Sequence, residues 1–198
     1  LAHDCIAESD LAAGRYDGAS VAIGAVDWET LEQAELWRGT IAAIAREGAA
    51  FSATLASAKA ALAIDPVPRS SPGCRAGFCG PGCTLSPARF THRAVVGGVD
   101  GGRVILAGLD RAPFAEGSLR WLDGPLAGLS ATILAADDMG LLLDSDPGVI
   151  ASGTRVLLRE GCDHTIATCA GRFDNAVNFQ GEPFLPGTDL LAHYPQPR

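Results

Sequence analysis

The stretch "LLREGCDHTIATCAGRFDNAVNFQGEPFLPG" (157–187) closes an apolar, strand-like run and then sets Cys162 and Cys169 seven positions apart. Upstream lie Cys5, Cys74, Cys79 and Cys83, so five of the six cysteines fall in two tight groups. An even count suits disulfides in a secreted chain, whereas grouped cysteines suit metal ligation. "DHTIATCAGRF" (163–173) reads as a helix with Asp163 as its N-cap. Seven helical residues advance ~10.5 Å, and a disulfide needs Cα atoms within about 7 Å, so a Cys162–Cys169 bridge is disfavoured. Zinc knuckles space their ligands by about two to four residues. Here eight residues separate Cys74 from Cys83, and six separate Cys162 from Cys169. Brackets that wide better suit an iron–sulfur cubane, whose corners spread the thiolates apart. Zinc, disulfides and free thiols stand as the alternatives.

Outward from this stretch the chain is a succession of short β patterns. "SVAIGAVDW" (20–28), "ELWRGTIAAIARE" (35–47) and "AAFSATLAS" (49–57) form a three-strand meander, the last two joined at Glu47-Gly48. "SAKAALAI" (57–64) is Ala-rich and reads as a short helix. "DPVPRSSPG" (65–73) is the best linker candidate. Between residues 84 and 160, five or six strands are punctuated at Gly97-Gly98, Asp100-Gly101, Asp123-Gly124 and Asp146-Pro147-Gly148. That rhythm predicts a small barrel or sandwich. The fold class is therefore mainly β, with few short helices and two domains. Residues 1–66 are the remainder of an N-terminal β domain. Residues 67–198 form a C-terminal β domain whose ends are joined by the cysteine site.

Of the 198 residues 47% are apolar, which is globular composition, and no run approaches the length of a membrane-spanning helix. The start, "LAHDCIAESD", has no initiator Met and no basic-then-apolar leader, and reads as the middle of a longer protein or a processed product. Net charge is −8; fourteen of the fifteen basic residues are Arg, scattered along the chain with no helical stripe. Nonspecific nucleic-acid binding is not expected from that pattern.

The pair C-x8-C (Cys74, Cys83) followed by C-x6-C (Cys162, Cys169) resembles the cysteine pattern of the lambda-type tail tip protein L family. "DLAAGRYDGASVAIGAVDW" together with "CDHTIATCAGRFDNAVNFQGEPFLPGTD" is similar to the hub (tail tip/baseplate) family of gene transfer agents and related siphophages, over residues 9 to 195. The resemblance implies a structural hub of a phage-like tail baseplate, assembled in the bacterial cytoplasm and stationed at the tail tip. Its implied partners are a distal tail protein, a megatron or central fibre protein and a tail peptidase, around a homotrimeric ring. The implied cofactor is a [4Fe–4S] cluster, one ligand at each of Cys74, Cys83, Cys162 and Cys169. Cys79 is extra to that pattern and a possible substitute ligand.

Other chemistry-bearing residues have simpler readings. His164, beside Cys162, could serve a Cys–His dyad of a cell-wall hydrolase; a supporting place behind the ligands is preferred, and no enzyme is expected. Asp137-Asp138 and Asp144/Asp146 lack the order of a calcium loop and read as turn acids. "GGVDGG" joins two strands and does not cradle phosphate. Arg172, Phe173, Asn175, Asn178 and Phe179 are read as wrapping the cluster: amides on irregular backbone, and Phe173, Phe179 and Phe184 as its shield from water. Cys5 reads as an ordinary small buried residue.

Overall fold

A computed structural model of the chain describes residues 6–47, 50–63, 65 and 67–185. Cys5 lies outside them. Contacts divide the chain into two compact units, Leu1–Pro68 and Arg69–Arg198.

The first unit opens with a single-turn helix α1 (Glu8–Ala12). Strands β1 (Ser20–Val26), β2 (Gln33–Glu47) and β3 (Ala50–Ser57) then form the meander, antiparallel in the order β1-β2-β3. The Ala-rich segment after β3 is a 3-10 turn (Ala58–Leu62), not an α-helix. Only Leu11 and Ile41 of this unit's apolar side chains are buried among the described residues.

The second unit is a closed six-stranded barrel: β4 (Thr91–Asp100), β5 (Arg103–Leu106), β6 (Ser118–Trp121), β7 (Ser130–Asp137), β8 (Gly140–Leu143) and β9 (Arg155–Arg159), in the cyclic order β4-β5-β8-β7-β6-β9. Period-2 patterning builds it. β6 and β7 alternate exposed and buried, so Leu119, Trp121, Ala131 and Ile133 turn inward. They meet Val96, Val104, Leu141, Val156 and Leu158 in one core under Phe114. Closure satisfies every strand edge, which an open sheet would leave unpaired.

Gly97-Gly98 is not a turn. β4 runs straight through it, pairing with β9 over Thr91–Val95 and with β5 from Val96 onward, and the register shifts between Val96 and Gly98. The glycines form the bulge at which one strand bends from one partner to the next, as barrel corners require.

Candidate metal centre

The barrel positions three irregular segments: the loop before β4 (69–86), the turn after β9 (160–165), and the helix α2 (Ile166–Gly171) with the chain that follows it. Asp163 does not cap α2. The N-cap is Thr165, whose hydroxyl accepts from the Thr168 amide at 3.2 Å. Asp163 stands one step outside, its carboxylate accepting from the Thr165 amide (2.9 Å) and the Thr168 hydroxyl (2.7 Å). Those bonds hold its carboxyl below the usual range, the Thr165 amide contributing most. The helix therefore starts four residues after Cys162.

Cys74, Cys83, Cys162 and Cys169 all line one small apolar cavity, together with Ala76, Phe78, Leu85, Phe173 and Phe179. The cysteines come from sequence positions up to 95 residues apart (Cys74 to Cys169). Cys83 and Cys169 are buried; Cys74 and Cys162 are half-buried, and all five described cysteines are free thiols. Burial pushes the Cys162 and Cys169 thiols up, and in both the neighbouring cysteines of the same cavity add to the rise. As the side chains stand, no group of three or more His, Cys, Asp or Glu among the described residues is placed to hold a metal ion.

Hydrogen bonds from backbone and side chains hold Cys74, Cys83 and Cys169. The Cys74 amide donates to the His164 carbonyl (2.8 Å), and the His164 ring Nδ1 lies 2.9 Å from the Cys74 carbonyl. His164 sits at φ 56°, a left-handed conformation that aims its ring at Cys74 and not outward as a free base. The Gln180 amide donates to the Cys74 Sγ at 3.3 Å. Asn175, buried, donates from Nδ2 to the Cys83 carbonyl (2.7 Å), and its backbone amide reaches the Cys169 carbonyl (3.0 Å). Asn178 Nδ2 in turn donates to Asn175 Oδ1 (2.7 Å), which fixes that amide's orientation.

Arg172 does not line the cavity. It clamps the layer behind: Nη1 donates to the Gly161 carbonyl (3.1 Å), Nη2 to the Pro113 carbonyl (3.2 Å) and to Glu160 (2.5 Å), with the guanidinium 4.7 Å over the Phe173 ring. Glu160 also meets His92 Nε2 at 2.7 Å. Cys79 does not line the cavity either; its thiol neighbours are Arg159, Cys83 and Glu160, and burial raises it. Phe184 is no shield, being 90% exposed. The aromatic wall is Phe173 and Phe179, as expected, with Phe78; Phe90 packs behind Phe78 and Phe173, the three rings at centroid distances of 4.8 to 5.4 Å. Phe78 and Phe90 went unremarked in the sequence because nothing local marks them; contact with Phe173, more than 80 residues away, is what gathers them.

A strap completes the site. Arg75 grips Glu182 with both guanidinium nitrogens (2.6 and 2.7 Å), Glu182 accepts from the Ser71 amide, and the Glu182 amide donates to the Ser71 carbonyl (2.8 Å). The Arg75 bonds hold the Glu182 carboxyl down to about 2. The strap passes so close that a Cβ on Gly181 would stand 2.6 Å from the Gly73 carbonyl.

Two family models match the chain. One, described as the N-terminal attachment domain of a baseplate hub protein, covers residues 1–86; the other, described as phage conserved hypothetical protein BR0599, covers residues 112–189. No curated protein matches. Among solved structures, a chain in the virion of a native gene transfer agent particle is 35% identical over 99% of this chain and 72% of its own, at a TM-score of 0.81.

The chain belongs to the baseplate hub protein family.

The hub resemblance read from the sequence is thereby shown, and so is the mainly β architecture. In hub terms, the attachment-domain match covers the three-stranded unit and the loop carrying Cys74, Cys79 and Cys83. The second match covers most of the barrel and the segment carrying Cys162 and Cys169. The cavity is thus built from both halves of the family's sequence.

Proposed function

We propose that this chain is a structural hub of a phage-like tail baseplate in a gene transfer agent-type particle. Cys74, Cys83, Cys162 and Cys169 hold a [4Fe–4S] cluster that staples the loop before the barrel to the segment after it. The observation that carries the reading is the convergence of those four thiols on one apolar cavity in a chain aligned end to end with a virion protein. The donor set fits. Four cysteines line one cavity, while the adjacent imidazole Nδ1 is engaged with the Cys74 carbonyl. Ligand brackets of eight and six residues suit a polynuclear centre, with its wider corners, better than zinc.

When bound, the cluster supplies a cross-link between distant segments. The chain's own residues do the rest. Buried neutral thiols are poor ligands, and a cationic centre reverses the effect of burial by stabilising the thiolate. The Gln180 amide, within reach of the Cys74 sulfur, donates toward the ligand shell; Phe78, Phe173 and Phe179 keep water off. Closing the Cys83-to-Cys162 loop contributes on the order of 4 kcal/mol by analogy with a cross-link of that length. A hub carrying mechanical load gains from such a staple.

The partners proposed with this reading are a distal tail protein, a central fibre or megatron protein and a tail peptidase, with three copies around the axis. The test is to tag the chain and image purified particles by electron microscopy. The tag should decorate the tail tip, and cells lacking the chain should accumulate tails without one. Intact tips in its absence would refute the hub role.

A further inference from the structure

The arginines that look scattered along the sequence are gathered by strand pairing. Arg93 on β4 pairs with Leu157 on β9, and Leu157 pairs with Arg120 on β6. Directly paired residues in antiparallel strands share a face, so Arg93, Leu157 and Arg120 lie in one row across three strands, two strand spacings or ~10 Å from end to end. The row points out of the barrel, because their strand neighbours Leu119, Trp121, Val156 and Leu158 fill the core. The next row pairs Val95, 44% exposed, with Arg155. Arg155 is neutralised by Asp123 at 2.6 Å. Arg93 and Arg120 are exposed and have no ion pair among the described residues. An otherwise acidic chain thus presents a face with two uncompensated guanidinium groups around aliphatic side chains. Arg among apolar groups is the composition of a protein interface; phosphate-binding surfaces are more polar.

The same chain carries the matching surface. The β1–β2 turn, "DWETLE" (27–32), exposes Trp28 (83%) and Leu31 (72%) between carboxylates. The Asp27 carboxylate caps the turn, accepting from the Glu29 and Thr30 amides at 2.8 and 3.1 Å. The Leu31 amide donates to the Asp27 carbonyl (2.9 Å), and Leu31 is held at φ 61°, a conformation costly for a branched apolar residue. Glu29 and Glu32 have no ion pair among the described residues. The turn is therefore an ordered knob with a large aromatic tip and two free acids, the kind of anchor that dominates binding when buried.

We propose that the Trp28–Leu31 turn of one copy docks on the Arg93–Leu157–Arg120 face of a second copy, with Glu29 and Glu32 meeting the two arginines. The contact joins different surfaces, so it either closes two copies reciprocally or repeats into a ring or a chain of copies. It goes beyond the cluster proposal and rests on the hub reading only in needing several copies side by side. A failed contact leaves particle decoration at the tail tip untouched, so the two readings fail separately.

The test is sedimentation of the full chain across protein concentration and salt. Self-association should be present and should weaken as salt rises. Arg93→Glu/Arg120→Glu and Glu29→Arg/Glu32→Arg should each weaken it by about tenfold or more. Mixing the two variants, equimolar, should restore association between them. Trp28→Ala should weaken it at all salt concentrations. The milder Arg93→Gln/Arg120→Gln variant gives the same reading if a charge reversal disturbs folding. A wild-type chain that stays monomeric, or charge-reversed variants that associate like wild type, would overturn the proposal. So would salt-sensitive binding of random-sequence duplex DNA that depends on Arg93 and Arg120 without self-association, which would assign the face to nucleic acid. A monomer that both reversals destabilise, rescued only when combined in one chain, would make the contact internal and also overturn it.

Discussion

The two units solve the same problem differently. The barrel closes on itself and buries a full set of side chains; the three-stranded sheet buries Leu11 and Ile41 and leaves Ile23, Val26, Trp28, Leu36 and Leu55 exposed. Both rest on period-2 strands. What differs is whether the apolar face finds a partner within its own unit. A barrel's inner face does so by geometry, whereas a lone meander has one face too many. Local stability should follow that division.

The sharpest way to break the comparison is to hollow out each side. Phe114→Ala, in the fully covered barrel core, should cost about 3–5 kcal/mol; Ile41→Ala, at a site open on one side, about 2 kcal/mol or less. Urea denaturation followed by Trp fluorescence measures both, and equal losses would erase the distinction. Next, Asn175→Ala strips the donor from the buried Cys83 carbonyl and should cost about 1–3 kcal/mol. Amide exchange should then quicken around 83 and 175 while the barrel core keeps its protection. Removing the helix cap with Thr165→Ala should cost about 1 kcal/mol, visible as a lower melting temperature with the barrel spectrum unchanged.

Smallest is a pH effect on the strap. The Glu182 carboxyl is depressed from 4.5 to about 2 by Arg75 and the Ser71 amide. A depressed carboxyl stabilises the folded state fully above its unfolded value and loses that contribution as pH falls through the folded one. The strap should therefore loosen between about pH 4.5 and 2. Protease cleavage near residues 69–75 should rise over that window in the wild type, and be raised already at neutral pH in Glu182→Gln.

Much of this was legible in the residues. The six strands between 88 and 160 could be read because each alternates over a length the turn signals bound. The rhythm named a barrel or a sandwich and could not choose between them, since β4 changes partner at Gly97-Gly98 and a bulge looks like a turn in one dimension. The cysteine spacing pointed to the four thiols that share the cavity. It did not reveal Phe78 as part of the wall or Phe90 as its backing, because long-range contacts place them. Phe184 was misjudged for the same reason: the strap is held by Glu182, and the next aromatic faces outward. The α2 cap moved from Asp163 to Thr165 because two adjacent capping side chains compete, and the left-handed His164 between them delays the helix. The arginine face was invisible, since only register aligns residues 93, 120 and 157.

The most direct test of the staple is metal analysis and visible absorption of anaerobically purified protein beside its Cys83→Ser and Cys79→Ser variants. About four irons per chain and a broad iron–sulfur absorption band should appear in the wild type. They should persist in Cys79→Ser and disappear in Cys83→Ser. Stoichiometric zinc, no metal at all, or iron retained without Cys83 would contradict a cluster held by the four thiols of this cavity.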